Sequence, residues 1–137
     1  NILDYKKEGK NKVFFLRNNL HAKNYLFNAE RYRLIKLLKK YRDLGIIIDE
    51  VIKKISEDIV ILFGSYAKFT ARPDSDIDIF VETRSRKVKE DLESVHSKIK
   101  VKIGDFDLES QLIKEIIKNH IILKGVEDFY EKTKFFG

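Results

Sequence analysis

Hydrophobic residues recur every three or four positions in two neighbouring segments, and this spacing predicts two amphipathic helices. Gly45 lies between the two segments, and we expect it to end the first helix. Asp49 and Glu50 follow in the first turn of the second helix, where the helix dipole favours acidic side chains. The two apolar sets are Leu34, Leu37, Leu38 and Tyr41, and then Ile48, Val51, Ile52 and Ile55.

Three later segments have strand patterns. Residues 59–63 are continuously apolar, which predicts a strand buried on both faces. Residues 76–81 form a second strand pattern. In a third segment, apolar residues alternate with Lys100 and Lys102, which predicts a half-buried strand. Helical spacing returns after the second and third strands, at Val88, Leu92 and Val95 and at Leu112, Ile113, Ile116 and Ile117. We therefore expect an α+β fold, with a mixed β-sheet flanked by helices.

The first third of the chain has its own pattern. Residues 12–16 have strand composition, and the Gly-containing turn at 8–11 predicts a β-hairpin with residues 2–7. We divide the chain into a hairpin at residues 1–20, a connecting helix at 21–45 and an α+β domain at 46–137. The segment after Gly125 predicts a final helix with four apolar anchors, Phe129, Tyr130, Phe135 and Phe136.

Composition narrows the classes of function. The chain of 137 residues has no Cys, so disulfides, thiol catalysis and Cys-based zinc sites are excluded. The three His residues lie far apart, which makes a His-rich zinc site a poor prediction. No apolar run approaches the ~18 residues of a membrane-spanning helix. We expect a cytoplasmic protein that does not enter a membrane.

The net charge of +6 is unevenly distributed. Residues 1–45 contain 12 Lys/Arg and 4 Asp/Glu, whereas residues 46–137 contain 16 and 18. A basic block of this kind can form a nucleic-acid surface. It can equally be a solvated helix face with a charged turn, and the sequence leaves both interpretations open.

Gly64 and Ser65 interrupt the most apolar strand pattern and are followed by a short predicted helix. A strand that ends in Gly and turns into a helix presents free backbone N–H groups, and Gly lets a phosphate approach the backbone closely. The Ser65 hydroxyl adds another donor. Lys68 could contact a phosphate or simply be solvated. We name residues 64 and 65 the Gly-Ser turn.

Asp76 and Asp78 begin the second strand pattern, ten residues after the Gly-Ser turn. Side chains two apart on a strand share one face, so both carboxylates point the same way. Such a pair can bind Mg²⁺, which prefers oxygen ligands and keeps substrate phosphate in its shell. We name these two residues the acidic pair. A phosphate cradle beside a metal site is what phosphoryl transfer requires.

The segments Phe63-Gly64-Ser65-Tyr66-Ala67-Lys68 and Ser75-Asp76-Ile77-Asp78-Ile79 resemble the signature of the minimal nucleotidyltransferases of the DNA polymerase beta superfamily. The resemblance covers roughly residues 46–137. It implies the nucleotidyltransferase fold, a nucleoside triphosphate as donor and Mg²⁺ as cofactor. It also implies that Gly64 and Ser65 hold the β- and γ-phosphates and that the acidic pair binds metal. The family usually has Gly where this chain has Phe69.

The family resemblance also implies a third carboxylate on the next strand. The positions expected to face the site there are Lys100, Lys102 and Gly104, and none is acidic. Asp105 reaches that face only if Gly104 forms a β-bulge, which shifts the alternation by one residue. We therefore name Asp105 as the candidate third catalytic carboxylate, with Asp107 as the next candidate.

Residues 3–16 resemble the wing hairpin that closes a winged-helix DNA-binding domain, although the recognition helix of such a domain is absent from the chain. The resemblance implies that lysines of the hairpin contact phosphates. The four candidates, named the hairpin lysines below, are Lys6, Lys7, Lys10 and Lys12. The other interpretation is a solvated hairpin that only packs or dimerises.

Two functions therefore remain as hypotheses. The first is a Mg²⁺-dependent nucleotidyltransferase that moves a nucleoside monophosphate from a nucleoside triphosphate, expected to be ATP, to an acceptor hydroxyl. The family resemblance implies a helical HEPN-type partner, a toxin that the nucleotidyltransferase modifies as its antitoxin. The second is a DNA-binding winged-helix regulator whose nucleotidyltransferase domain senses nucleotides or is inactive. A homodimer is compatible with both.

Overall fold

The computed structural model describes residues 3–17 and 19–134. A hairpin of β1 (Leu3–Glu8) and β2 (Asn11–Leu16) precedes the long helix α1 (Leu20–Lys40). The remaining elements are α2 (Leu44–Lys53), β3 (Val60–Phe63), α3 (Gly64–Ala67), β4 (Ile77–Glu82), α4 (Arg86–Glu93), β5 (Ile99–Gly104), α5 (Gln111–Lys118), β6 (Ile121–Lys124) and α6 (Val126–Lys132). The predicted α+β architecture, with its hairpin and following helix, is confirmed.

The main sheet has four strands in the order β5-β4-β3-β6. Strand β3 runs antiparallel to β4 and to β6, whereas β4 and β5 are parallel, so the sheet is mixed as predicted. The crossover from β4 to β5 contains α4, as a parallel connection requires. Strands β1 and β2 form a separate, antiparallel two-stranded sheet.

Both faces of the main sheet are buried, which explains the continuous apolar run of β3. Alternate residues of β3 point to opposite faces: Leu62 packs with residues of α1, α2 and α4, and Ile61 packs with residues of α5 and α6. Asp78 lies two residues before Phe80 on β4, so their side chains point to the same face of the sheet. Phe80 packs on the α5 and α6 side. The acidic pair therefore belongs to that face, whereas Ile77 points to the other.

Two helices begin at a side-chain cap, and one helix ends earlier than the sequence predicts. The Asn19 side chain accepts a hydrogen bond from the Ala22 N–H at 2.8 Å and caps α1, and Ser110 caps α5 in the same way at 3.1 Å. The prediction that Gly45 ends the first helix is wrong. Helix α1 ends at Lys40, and Gly45 lies inside α2 because the buried Leu44 begins that helix.

Strand β6 was not predicted from the sequence. Its residues Ile121–Leu123 follow the apolar positions of α5 closely, and short apolar runs do not distinguish a helix from a strand. Phe129 and Tyr130 are buried on α6 as predicted, whereas Phe135 and Phe136 lie outside the described residues. In the part of the chain that the structure describes, no helix is both long and apolar enough to cross a membrane.

Candidate active site

The pairing of β3 with β4 places the Gly-Ser turn beside the acidic pair. The two strands are antiparallel, and Phe63 at the end of β3 pairs with Asp78 near the start of β4. The Gly-Ser turn follows Phe63 directly, and Asp76 directly precedes β4. The Gly-Ser turn and the acidic pair have ten residues between them in sequence, and they meet at this end of the sheet.

Gly64 lies directly against Asp78, the second residue of the acidic pair. Its φ of 71° lies in the left-handed region, which favours glycine. A Cβ atom at this position would lie 2.2 Å from Oδ2 of Asp78 and 3.1 Å from its Cγ. The carboxylate of Asp78 thus fills the space that any other residue's side chain would need. Both the backbone conformation and this contact require glycine at position 64.

The Gly-Ser turn is closed by hydrogen bonds from the residues that follow it. The Lys68 N–H donates to the Gly64 carbonyl at 3.2 Å, and the Thr70 N–H donates to the Ser65 carbonyl at 3.0 Å. The first N–H groups of a helix have no acceptor within that helix. The half-buried Ser65 therefore presents its backbone N–H at the start of α3, and Lys68 lies exposed at its end.

Phe69 follows the turn with φ of 59°, also in the left-handed region. This conformation explains why glycine is the ordinary residue of the signature at this position. In this chain the side chain of Phe69 is half-buried, and the Lys40 ammonium lies 6.0 Å from its ring centroid. Such a cation–π contact offsets part of the backbone strain.

The two carboxylates of the acidic pair differ in exposure: Asp76 is exposed and Asp78 is half-buried. Burial raises the pKa of Asp78 above its ordinary value, and the nearby charges of Asp76 and Glu115 raise it further. The ammonium of Lys102 acts in the opposite direction. The site therefore concentrates negative charge that a cation would stabilise.

The structure does not bring Asp105 to the acidic pair. The β4–β5 register is regular, with Asp78 opposite Lys100 and Glu82 opposite Gly104, so no bulge shifts the alternation. Glu82 is roughly 13 Å from Asp78 along the strand at about 3.3 Å per residue, and Asp105 follows Gly104, the partner of Glu82, at that far end of β4. The carboxylate of Asp105 is 65% exposed and forms an ion pair with Arg84 at 2.8 Å, which lowers the pKa of Asp105.

Asp107 also lies in the segment after β5, away from the acidic pair. Its carboxylate accepts a hydrogen bond from the Glu109 N–H at 3.0 Å, and its own N–H donates to the Asp105 carbonyl at 2.9 Å. These bonds make a local turn ahead of α5. The third carboxylate expected from the signature is therefore not supplied by either predicted residue.

Glu115 is the functional candidate that the sequence did not reveal. It is an exposed residue of α5, whose Ile113 and Ile116 pack on the sheet face to which Asp78 belongs. Its charge is felt by the carboxyl group of Asp78. Nothing in the apolar spacing of α5 distinguishes Glu115 from the other exposed residues of that helix. Among the described residues, no three His, Asp or Glu side chains form a preassembled metal cluster.

The hairpin lysines are all exposed: Lys6 and Lys7 lie on β1, Lys10 lies in the turn after Gly9, and Lys12 lies on β2. Lys6 forms an ion pair with Glu8 at 3.4 Å, and the Lys12 ammonium lies 4.7 Å from the ring centroid of Tyr5. Lys7 pairs with Lys12 across the strands, so one face of the hairpin places two like charges opposite each other.

Comparison with known proteins agrees with the geometry. The family described as "Polymerase beta, Nucleotidyltransferase" matches residues 33–128. The chain therefore belongs to the polymerase beta nucleotidyltransferase family. The match begins inside α1 and includes the Gly-Ser turn and the acidic pair.

Two solved structures are similar to this chain. One is a crystal structure of a toxin-antitoxin with AMP-PNP, with 22% identity over 77% of this chain and 82% of that one and a TM-score of 0.44. The other is a mutant of the toxin-antitoxin MntA-HpeT, with 21% identity, the same coverage and a TM-score of 0.43. Comparison with curated proteins finds no match.

Proposed function

We propose that this chain is a Mg²⁺-dependent nucleotidyltransferase that transfers a nucleoside monophosphate from ATP to an acceptor hydroxyl. The observation that carries the proposal is the contact between the Asp78 carboxylate and Gly64, where a Cβ would lie 2.2 Å from Oδ2. A metal-binding oxygen and a phosphate-binding turn are thereby held side by side. Phosphoryl transfer needs little more than this positioning and charge stabilisation.

The donor set fits Mg²⁺. This ion is held in proteins by one or two carboxylates together with substrate phosphates and water. Asp76 and Asp78 supply two hard oxygen ligands. Burial, followed by the charges of Asp76 and Glu115, raises the pKa of Asp78, and a bound cation would favour its ionised form. When bound, Mg²⁺ would neutralise charge that develops on the transferred phosphoryl group.

The residues of the chain take complementary roles in this proposal. The N–H groups and hydroxyl of the Gly-Ser turn bind the β- and γ-phosphates and orient the α-phosphorus towards the acceptor. The acceptor oxygen bonds to the α-phosphorus as the bond from this atom to the α,β-bridging oxygen breaks, and pyrophosphate leaves. Lys68, at the end of α3, adds positive charge near the same phosphates. The attacking hydroxyl must lose a proton. Glu115 replaces Asp105 as the candidate base, since it is an exposed carboxylate on the helix that packs on the sheet face of Asp78.

The acceptor is proposed to be a tyrosine hydroxyl of a HEPN-type toxin, with this chain as the antitoxin. The support for this partner is the likeness to minimal nucleotidyltransferases. Within the chain, residues 46–137 form the proposed catalytic domain, 21–45 the connecting helix and 1–20 the hairpin. We place the protein in the cytoplasm, where ATP and Mg²⁺ are available.

Calorimetry with a non-hydrolysable ATP analogue tests the site itself. We expect binding in the presence of Mg²⁺, and its loss when EDTA is added or when Asp76→Asn and Asp78→Asn are combined. Asp105→Asn is the matched control, since it makes the same chemical change in a carboxylate outside the site. Equal affinities of the double variant and the wild type would contradict the metal assignment.

Label transfer tests the chemistry separately. With α-labelled ATP and a co-expressed HEPN-type partner, we expect label on the partner, and its loss in Glu115→Gln at unchanged affinity for the ATP analogue. Analogue binding without transfer to any hydroxyl would leave a nucleotide-binding domain and contradict catalysis.

The alternative function is a DNA-binding regulator with a nucleotide-sensing or inactive nucleotidyltransferase domain. Two observations favour it: the third carboxylate is missing from β5, and the hairpin lysines are exposed. Binding of this kind would be independent of sequence and would weaken steeply with salt, because phosphate contacts release counterions. Replacing the four hairpin lysines with Gln should flatten the salt dependence. An absence of DNA binding at low salt would leave the hairpin as a packing or dimer element.

A further inference from the structure

A cavity lies on the other side of the main sheet from the acidic pair. Its volume is about 490 Å³, within the usual range of small-molecule sites. Ile77 of β4 contributes to its floor, while the neighbouring Asp76 and Asp78 belong to the opposite face. The cavity is bounded by the turn between α1 and α2, by the loop at residues 68–76 that joins α3 to β4, and by the segment before β5. It is therefore distinct from the proposed catalytic site.

The floor of this cavity is apolar. Leu44 and Ile47 of α2 line it together with Ile77. Tyr41 and Tyr66 form one wall, with ring centroids 4.9 Å apart in an edge-to-face arrangement, which aromatic pairs favour. Tyr41 and Ile47 are half-buried and can contact the apolar body of a ligand, whereas Leu44, Tyr66 and Ile77 are buried by the protein itself.

The rim of the cavity is strongly basic, but its cations are not equally available. The Lys40 ammonium donates to the Phe69 carbonyl at 2.8 Å, and the Lys98 ammonium donates to the Pro73 carbonyl. Both lysines are therefore engaged in holding the loop. Arg42 and Arg72 also line the cavity, and within the described residues their guanidinium groups have no ion pair and no hydrogen bond.

His96 adds a directed donor to the two arginines. Its Nδ1 accepts a hydrogen bond from the Lys98 N–H at 3.1 Å, which leaves the ring proton on Nε2 in the neutral form. Two guanidinium groups and one imidazole N–H match the several oxygens of a phosphate monoester. Asp43 is the acidic lining residue, and its negative charge is outweighed at the rim by the two arginines and two lysines.

We infer that this cavity is a binding site for a small phosphate monoester with an aromatic or similarly apolar body. Arg42 and Arg72 bind the phosphate, His96 donates to it, and the body of the ligand packs on Tyr41 and Ile47. The inference goes beyond the proposed function, because this site lies on the opposite face of the sheet and requires neither the acidic pair nor a metal.

Nuclear magnetic resonance with phenyl phosphate as the probe tests this inference. In the presence of EDTA, we expect saturable shifts of the backbone amides of Arg42, Arg72 and Ile77. Arg42→Gln and Arg72→Gln should each weaken binding about tenfold or more, the usual worth of a hydrogen bond to a charged group. Arg86→Gln is the matched control, since Arg86 is exposed on α4 outside the cavity, and it should leave the affinity unchanged.

Two further comparisons keep the inference falsifiable. Inorganic phosphate should bind more weakly than phenyl phosphate, because it cannot use the apolar floor; equal affinities would overturn the assigned ligand class. Combined Asp76→Asn and Asp78→Asn should leave phenyl phosphate binding intact. Shifts confined to Gly64 and Ser65, or an equal weakening by Arg86→Gln, would place the probe elsewhere and overturn the site.

Discussion

The Asp78 carboxylate lies where the side chain of residue 64 would begin, since a Cβ on Gly64 would be 2.2 Å from Oδ2. The contact joins the end of β3 to the start of β4 and therefore depends on the strand register as much as on either residue. It also means that substitutions at residue 64 act on the candidate metal site and the candidate phosphate site together.

Gly64→Ala should destabilise the fold and abolish binding of the ATP analogue. Two costs combine: a left-handed backbone, worth about 1–2 kcal/mol for a residue with a Cβ, and the collision with Asp78. Gly9→Ala is a matched control, because Gly9 has a similar φ of 63° but no atom within 4 Å of the point that a Cβ would occupy. Chemical denaturation of both variants measures the difference. Equal losses of stability would show that the contact with Asp78 carries no weight.

Asp78→Asn should stabilise the metal-free protein at neutral pH. Because the pKa of Asp78 is raised in the folded state, that state binds the proton more tightly than the unfolded chain does. The resulting stability is present below the ordinary pKa of 3.8 and is lost as the pH rises through the higher folded pKa. Thermal unfolding in EDTA should therefore show a larger gain for Asp78→Asn at neutral pH than in acid. A gain that does not change with pH would contradict the assigned pKa direction.

Ser65→Ala should weaken binding of the ATP analogue by about 0.5–1.5 kcal/mol, or up to ~3 kcal/mol if the hydroxyl donates to a charged oxygen. The backbone of the turn stays intact in this variant, so the loss should be smaller than that of Gly64→Val. Calorimetry measures both. Small and equal effects of the two substitutions would indicate that the turn has only a structural role.

Asp105→Asn should leave both nucleotide binding and label transfer unchanged. The substitution removes an exposed ion pair with Arg84 at the far end of β4 and nothing near the acidic pair. Transfer assays with α-labelled ATP compare it directly with Glu115→Gln. Loss of transfer in Asp105→Asn, with Glu115→Gln fully active, would restore the role that the sequence predicted for Asp105.

Tyr130→Phe should destabilise the protein by about 1–3 kcal/mol, because the buried Glu30 carboxylate would lose a hydrogen-bond donor. Glu30 also accepts from His120 at 3.2 Å. Burial alone would raise the pKa of Glu30, but these hydrogen bonds bring it below its ordinary value, so their stabilisation is lost as the pH falls through the folded pKa. The variant should therefore be less sensitive to acid. Tyr32→Phe, on the exposed face of α1, is the control for thermal unfolding.

Local pattern predicted most of the fold. The apolar run of β3 and the apolar spacings of α2 and α5 reflect burial. In each of these segments, only one type of secondary structure places all of the apolar residues on buried faces. Strand β6 was missed because Ile121–Leu123 have no periodicity of their own. Their conformation depends on pairing with β3, a partner about sixty residues earlier in the chain.

The amino-acid sequence by itself determined the family, the Gly-Ser turn and the alternation that puts Asp76 and Asp78 on one face, because these depend on residue type and on the geometry of a single strand. Only the tertiary structure decided which further acidic side chain lies on the same side of the sheet as Asp76 and Asp78. Parallel pairing of β4 with β5 carries Asp105 to the far end of the sheet, and packing of α5 against that sheet face brings in the charge of Glu115. Strand register and helix packing arise from contacts between distant segments, and a local pattern does not contain them.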